Sequence, residues 1–513
     1  MRLRLRYLFG AFLAFWAISI IIYVHKISLE KPENYEADLL LTLETNLCSK
    51  TKDFNFTSSL GNNLENLKRF SYLVKQRTDE LLLSSDAKDK NGIALKLLNS
   101  VFDFVAVESG KYPQLNRPSH SHELLESSVS IQRRLYYLQY PVNCRNAAKI
   151  NCNVFKNCGI GCQIHHLVYC LSVSFALNRT LVFENNQQQS ETLINWGDFF
   201  LPFSSCSTKD YKHAPLQWSL ATKDISVIDL PLVEVLNPRP SYLPLAIPES
   251  VHDNIKCCHA KPSVWWIGQL VSFIMRPNRR LQKRIKLTEE KHKFKNKMYM
   301  ACHIRRTDKV GTEAKLHHVY EYNQALFEAH KMLKSSKGFR NISKTVFVAT
   351  DTFDTVQEFR TDFKFFDIVA DEESIDSAAV MKRKAKTSIF KAIVDIFILS
   401  KSQYIVCTFS SQFCRLAYEL MQSRETMDMS WRVESLDDLY YFGGQNEHFW
   451  EAIANHTSKG VNEMSLRIDD KVKVSGDLRN GFMVGTNLRT KREGLFPAYK
   501  VEERFETYKD ILR

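Results

Sequence analysis

The chain opens with an uncharged apolar run, Tyr7 to Val24, just long enough to cross a bilayer as a helix. Residues 25–58 are polar and carry few turn or core signals, as in a stem. From Leu60, apolar residues recur at helical spacing (Leu60, Leu64, Leu67, Val74, Leu81). Leu124, Ser128, Ile131, Leu135 and Leu138 then repeat the four-and-three rhythm of a coiled-coil seam. Tyr112-Pro113 and Asn116-Arg117-Pro118 break the pattern between them. Two helices are predicted, packed either as a hairpin on their own domain or against a second subunit in a homodimer.

From Pro141 onward apolar helices and short apolar strands alternate. A helix opens at Gly159-Ile160-Gly161 and runs to Leu177, followed by the strand Thr180 to Phe183, and Val264 to Met275 is a second helix. Met298 to Ala301 reads as a buried strand, and Tyr322, Leu326, Ala329 and Leu333 share one face of the helix after it. Strands at Thr345–Thr350, Phe365–Val369 and Tyr404–Thr408 alternate with the helix Ser388–Leu399. Two such regions predict an α/β fold of two Rossmann-type halves with a cleft between them. The tail differs: Leu466 to Val474 alternates as a strand, glycines at 476, 481 and 485 mark turns, and Gly494-Leu-Phe-Pro-Ala-Tyr-Lys-Val501 has the look of an SH3-like barrel.

Composition refines this picture at three points. With 513 residues the chain holds two or three domains, and 44% hydrophobic and 25% charged residues are ordinary for a folded protein. The net charge of +13 gathers in Arg279 to Lys286 and Lys291 to Lys297, an exposed basic helix with no nucleic-acid recognition motif beside it. Arg2, Arg4 and Arg6 precede the apolar run, which predicts a retained anchor with a cytosolic N-terminus and a lumenal remainder. Twelve cysteines and sequons at Asn55, Asn178, Asn341 and Asn455 agree with that oxidising side. Cys144, Cys152, Cys158, Cys162, Cys170 and Cys206 are disulfide candidates, and so are Cys407 and Cys414, which bracket Ser411 and Gln412. His165-His166 is not read as a metal pair, because adjacent helical residues point about 100° apart. Pro238 to Pro244 is read as a rigid interdomain loop.

The densest chemistry is Cys302-His-Ile-Arg-Arg-Thr-Asp-Lys-Val-Gly-Thr-Glu313, placed where a strand hands over to a helix. Strand ends, helix N-termini and guanidinium groups favour anionic oxygens such as phosphates. A solvated charged loop is the other reading of the same residues.

Four stretches, His303 to Ala314, Cys407 to Cys414, Ser435 to Asn446 and Gly494 to Val501, together resemble the eukaryotic α1,6-fucosyltransferases that core-fucosylate N-glycans. The resemblance implies a cytosolic tail at 1–6, a signal anchor at 7–24, a stem at 25–58 and a helical region at 59–140. It further implies a GT-B-like catalytic region at 141–460, an SH3-like domain at 463–508, and residence in the Golgi membrane. It implies inverting transfer of L-fucose from GDP-fucose to the 6-hydroxyl of the innermost N-acetylglucosamine, with no metal or other cofactor required. By the same resemblance His303, Arg305, Arg306, Asp395, Ser411 and Gln412 hold the donor. Glu313 is the base, with Lys309, Arg305 and Asp308 beside it in the catalytic group. Tyr322 and Asp351 match other functional positions, and Lys156 and Glu234 hold the glycan acceptor. Two departures stand out: Gln187-Gln-Gln-Ser190 where a Tyr against the nucleotide is expected, and Leu478 where a glycan-binding His is expected. Protein O-fucosyltransferase and a non-catalytic glycan-binding adaptor are the alternatives.

Overall fold

The computed structural model describes residues 121–152, 158–183, 195–220, 224–256, 258–312, 314–335, 338–424 and 427–509, together with five positions between 69 and 76. The anchor, the stem, Asn55, Lys156, the 187–190 stretch and Glu313 lie outside the described residues. Among the described residues no helix is long and apolar enough to cross a membrane.

The chain forms two compact units, and the larger holds residues 119–447 and 505–513. Its first part runs α1 (Ser121–Gln139), β1 (Lys149–Cys152), α2 (Ile160–Ala176), β2 (Thr180–Val182), β3 (Leu216–Gln217) and β4 (Val227–Leu230). β5 (Ile247–Pro248), α3 (Glu249–Ile255), α4 (Pro262–Ile274) and the basic α5 (Arg279–Lys291) follow. Strands 2-1-4-3 make a parallel sheet in that order. The second part runs β6 (Met300–Ile304), α6 (Val319–Ser335), β7 (Thr345–Thr350), α7 (Phe353–Asp362) and β8 (Asp367–Val369). It continues through α8 (Glu372–Ala378), α9 (Lys386–Ser400), β9 (Ile405–Cys407), α10 (Gln412–Arg424) and β10 (Val433–Ser435). Its five strands are parallel in the order 10-9-6-7-8.

Both faces of the second sheet are covered, and this is why its strands are continuous apolar runs rather than alternating ones. Met300, Cys302 and Ile304 of β6 pack with Tyr322, Leu326, Ala329 and Leu333 of α6 in one core. Ala301 turns to the other core with Phe347, Ala349 and the tryptophans of α4. The two-residue period of the strand therefore puts His303 on the same side as Ala301.

α1 packs on its own unit, one of the two packings its pattern left open. Leu124, Ile131 and Leu135 are buried in the unit's own core, and Ser128 donates to Gln269 Oε1 of α4 at 3.0 Å. An amphipathic helix on a core and a coiled-coil seam share one sequence pattern, and here the stripe is spent within the unit. Gln139, fully buried, stitches the helix end by donating to Ser174 Oγ at 3.0 Å and accepting from the Leu181 amide at 2.9 Å.

All eight candidate cysteines are paired, as 144–206, 152–170, 158–162 and 407–414. His166 lies within ligand distance of Cys152 and Cys170, but their mutual bond leaves no thiolate pair for a metal. Of the sequons, Asn341 and Asn455 are exposed. Asn178 is half-buried, and the hydroxyl of its partner Thr180 donates to the Leu138 carbonyl at 2.8 Å.

The smaller unit includes residues 448–504. It is a five-stranded antiparallel sheet, ordered 14-13-12-11-15, of β11 (Trp450–Ala452), β12 (Lys471–Asp477), β13 (Phe482–Asn487), β14 (Glu493–Pro497) and β15 (Val501–Glu503). It starts at Trp450 rather than 463, because β11 pairs with both β12 and β15. The strand expected from Leu466 begins at Lys471. Asp470 accepts from the Arg467 amide at 2.9 Å and closes a turn, with Asp469 at φ 68°. Phe70 packs edge-on against Tyr499, and Arg69 meets Asp477 at 3.2 Å. In the larger unit β16 (Thr507–Tyr508) pairs with β5.

α4 and α10 approach so closely that a Cβ on Gly268 would stand 2.4 Å from the Glu419 carbonyl oxygen. Gly268→Ala is expected to cost about 2 kcal/mol by overpacking and to lower the melting temperature by a few degrees. Gly159→Ala, with no neighbour within 4 Å, serves as the unchanged control in the same thermal-unfolding measurement.

Candidate functional site

A cavity of about 720 Å³ opens at the carboxyl ends of β6, β7 and β9. The start of α2, residues 158–163, borders it from the first half of the unit, and the start of α10, residues 411–413, from the second. Ligands in open α/β sheets bind at this end of the strands.

Asp351, just beyond β7, shapes the turn after β6. One carboxylate oxygen accepts from Arg305 Nη1 at 2.7 Å and from the Thr307 hydroxyl at 2.5 Å, and the other accepts from the Arg306 amide at 2.8 Å. Arg305 donates its other terminal nitrogen to Asp308 at 2.7 Å. Asp308 in turn takes two parallel bonds from Arg383, both 2.6 Å. The Arg383 bonds, with Arg305 adding to them, hold the Asp308 carboxyl far below the usual carboxylate range. Two guanidiniums and two carboxylates thus form one fork-to-fork network.

Among the described residues, three buried polar atoms on the cavity wall have no partner: His303 Nδ1, Thr350 Oγ1 and Arg415 Nε. Buried polar groups are almost always satisfied, so this cavity is built for a polar occupant. The His303 ring stacks at 19° on Phe413, and burial, reinforced by the Arg305 charge, lowers its pKa to about 4. It is a neutral imidazole at physiological pH. Burial, with Asp371 adding to it, pushes the Asp395 carboxyl up to about 7, against a hydrogen bond from the Ser374 hydroxyl. Tyr322 borders the cavity too, and burial keeps its phenol protonated.

Ser411 and Gln412 stand where α10 begins. The loop before them is pinned by Asp437, which accepts from the Phe409 amide at 2.7 Å, and by the Cys407–Cys414 bond. His165 takes the structural role expected of it. Its Nδ1 lies 3.1 Å from Gln412 Oε1 and its Nε2 lies 3.0 Å from buried Glu419. A Cβ on Gly161 would meet the Gln412 Cβ at 3.0 Å, so this glycine admits Gln412 as a close neighbour.

The structure brings His303, Arg305, Asp308, Lys309, Tyr322, Asp351, Asp395, Ser411 and Gln412 to one cavity. Arg306 contributes its backbone amide, and its side chain is not among the lining groups. Glu234 sits exposed in the short turn Val233–Val235, away from the lining. Sequence reasoning missed Arg383, which is hidden in the run Lys382-Arg-Lys384. It also missed Arg415, whose three-residue spacing from Gln412 places both on one face of α10 and was the available signal.

Residues 10–441 match the family model described as α-(1,6)-fucosyltransferase N- and catalytic domains. The chain belongs to the α-(1,6)-fucosyltransferase family. It is 37% identical over 388 residues to the Drosophila melanogaster α-(1,6)-fucosyltransferase, covering 75% of this chain and 62% of that protein's length. The Caenorhabditis elegans α-(1,6)-fucosyltransferase is 33% identical over 393 residues, covering 75% of this chain and 70% of that one. A solved structure of NodZ α-1,6-fucosyltransferase soaked with GDP-fucose aligns at a TM-score of 0.33 and 16% identity, over 53% of this chain and 92% of its own. Every residue that borders the cavity, from Cys158 to Tyr441, lies within the region matched by the α-(1,6)-fucosyltransferase family model.

Asp395 makes a signed prediction. Its folded pKa of about 7 lies above the ordinary 3.8, so the folded state holds the proton longer and stability falls as pH rises through that window. His303 acts oppositely: its contribution is complete above pH 6.5 and is lost as pH falls toward 4. Asp395→Asn is therefore expected to melt higher than wild type at pH 8, by up to about 4 kcal/mol of stability, and to converge with it near pH 4. Thermal melts across that range check this.

Proposed function

We propose that this protein transfers L-fucose from GDP-fucose to the 6-hydroxyl of the innermost N-acetylglucosamine of N-glycans, inverting the anomeric centre. The family assignment supports this reading, and the observation that carries it is the cavity beside the Arg305–Asp308–Asp351–Arg383 network, with its unpartnered polar atoms. A hydroxyl is a poor nucleophile at neutral pH, so a carboxylate must take its proton as the new bond forms. Glu313 is assigned that role by resemblance. The acceptor oxygen attacks C1 from the face opposite GDP, the C1–O bond breaks, and its electron pair leaves on the β-phosphate. Arg305, held in one plane by Asp351 and Asp308, meets the growing negative charge without reorganising, and Lys309 adds to the field. Neutral His303 offers a ring nitrogen to the donor. Asp395, once ionised, accepts from the paired N–H donors on the edge of guanine. No divalent ion is assigned a step.

The remaining assignments belong to the same proposal. Lys156 and Glu234 meet the glycan, and residues 463–508 act as an SH3-like module in which Leu478 replaces an imidazole. Residues 7–24 anchor the enzyme in the Golgi membrane with its catalytic region lumenal.

The detergent-solubilised full chain, given GDP-fucose, EDTA and a defined N-glycopeptide, is expected to add one fucose to the innermost sugar, located by mass spectrometry. Transfer to a folded peptide would favour a protein O-fucosyltransferase, and glycan binding without transfer would favour an adaptor. Arg305→Ala is expected to lower kcat by on the order of 100-fold or more. Glu313→Gln should lose turnover while keeping its affinity for GDP in calorimetry; a fully active variant removes Glu313 as the base.

A further inference from the structure

We infer that Arg415 is a binding residue for the donor's diphosphate, a role that rests on the nucleotide-sugar reading above. Arg415 is 3% exposed, sits in the first turn of α10 and borders the cavity with Tyr441. Nη1 donates to the Tyr441 carbonyl at 2.9 Å, and the guanidinium lies 4.1 Å from the centre of the Tyr441 ring. Both partners are neutral, and Nε has no partner among the described residues. Among the described residues no carboxylate reaches within 4.0 Å of it; the field of Arg415 is felt at Asp438, whose own burial outweighs it. Buried charges are normally paired, and an unpaired one is strongly destabilising. A buried cation on a cavity wall, with an orphaned N–H, calls for an anion in the cavity.

The rest of the wall sharpens the assignment. Arg305 and Arg383 are matched one for one by Asp351 and Asp308, so this quartet carries no net formal charge. Lys309 on the same wall is only half-buried and has a partner of its own, and Lys315 and Lys384 border the opening but are exposed, where water already solvates them. Among the described residues of the wall, the buried charge without an ion-pair partner is that of Arg415, and a nucleoside diphosphate brings the anionic oxygens that would answer it.

The test compares binding of GDP and of guanosine by calorimetry, with thermal melts, for the full-length wild type, Arg415→Met and Arg415→Lys. Arg415→Met is expected to weaken GDP by about 10- to 100-fold, leave guanosine affinity unchanged, and melt no lower than wild type, because an unpaired buried charge has been removed. Arg415→Lys should recover part of the GDP affinity. A Met variant that binds GDP as wild type does overturns the assignment. So does one that loses GDP and guanosine equally while melting lower, since that marks a purely structural residue. A wild type that binds guanosine and GDP alike overturns it as well, whereas a wild type that binds neither defeats the nucleotide-sugar reading itself.

Discussion

The site depends on the Asp351 carboxylate. Two oxygens at the end of one strand collect the backbone of Arg306, the hydroxyl of Thr307 and one arm of Arg305, all from the turn after the neighbouring strand. Parallel pairing of β6 with β7 brings the strand ends level, Ile304 opposite Thr350, so the next residue of β7 falls against the start of the turn. Without that buried acceptor, the Arg-Arg-Thr-Asp segment would have the freedom of the solvated loop that its composition suggests. The carboxylate converts a charged sequence into a shaped one.

Much of this was legible. The run Met298 to Ala301 followed by charge marked a buried strand feeding a polar turn; Asp351 and Ser411 stand just beyond apolar strands and Asp395 within an apolar helix, but it was the family resemblance that gave all three their roles. The eight cysteines were correctly grouped as disulfide formers, although spacing alone left their partners open. What was not legible has physical causes. The rhythm of α1 fits a core-facing helix as well as a two-chain seam. Arg383 looks like its lysine neighbours until Asp308 is placed beside it. Arg415 shares a helix face with Gln412 by spacing, but its burial depends on Tyr441, a distant residue that covers it only in the fold.

α10 carries an unusual share of the work. Successive turns of one helix supply Gln412 and Arg415 to the cavity and Glu419 to a buried pair with His165, which also receives the Tyr440 hydroxyl at 2.7 Å. The same helix packs on α4 across Gly268, where only a hydrogen fits. Position and chemistry are therefore coupled: a shift that relieved the crowding at Gly268 would move Gln412 and Arg415 with it. The first turn of the helix tolerates its uncompensated charge because the remaining turns are so firmly held.

The Cys407–Cys414 bond joins the end of β9 to the first turn of that helix, across Ser411 and Gln412. A loop this short has little disorder to lose, so the bond adds less to global stability than a long-range one would. Its effect is local, on the placement of two residues of the cavity wall. Fold and pocket are thus separable in this chain: a reductant that opened this one bond would loosen a wall of the cavity and leave the packed unit around it standing.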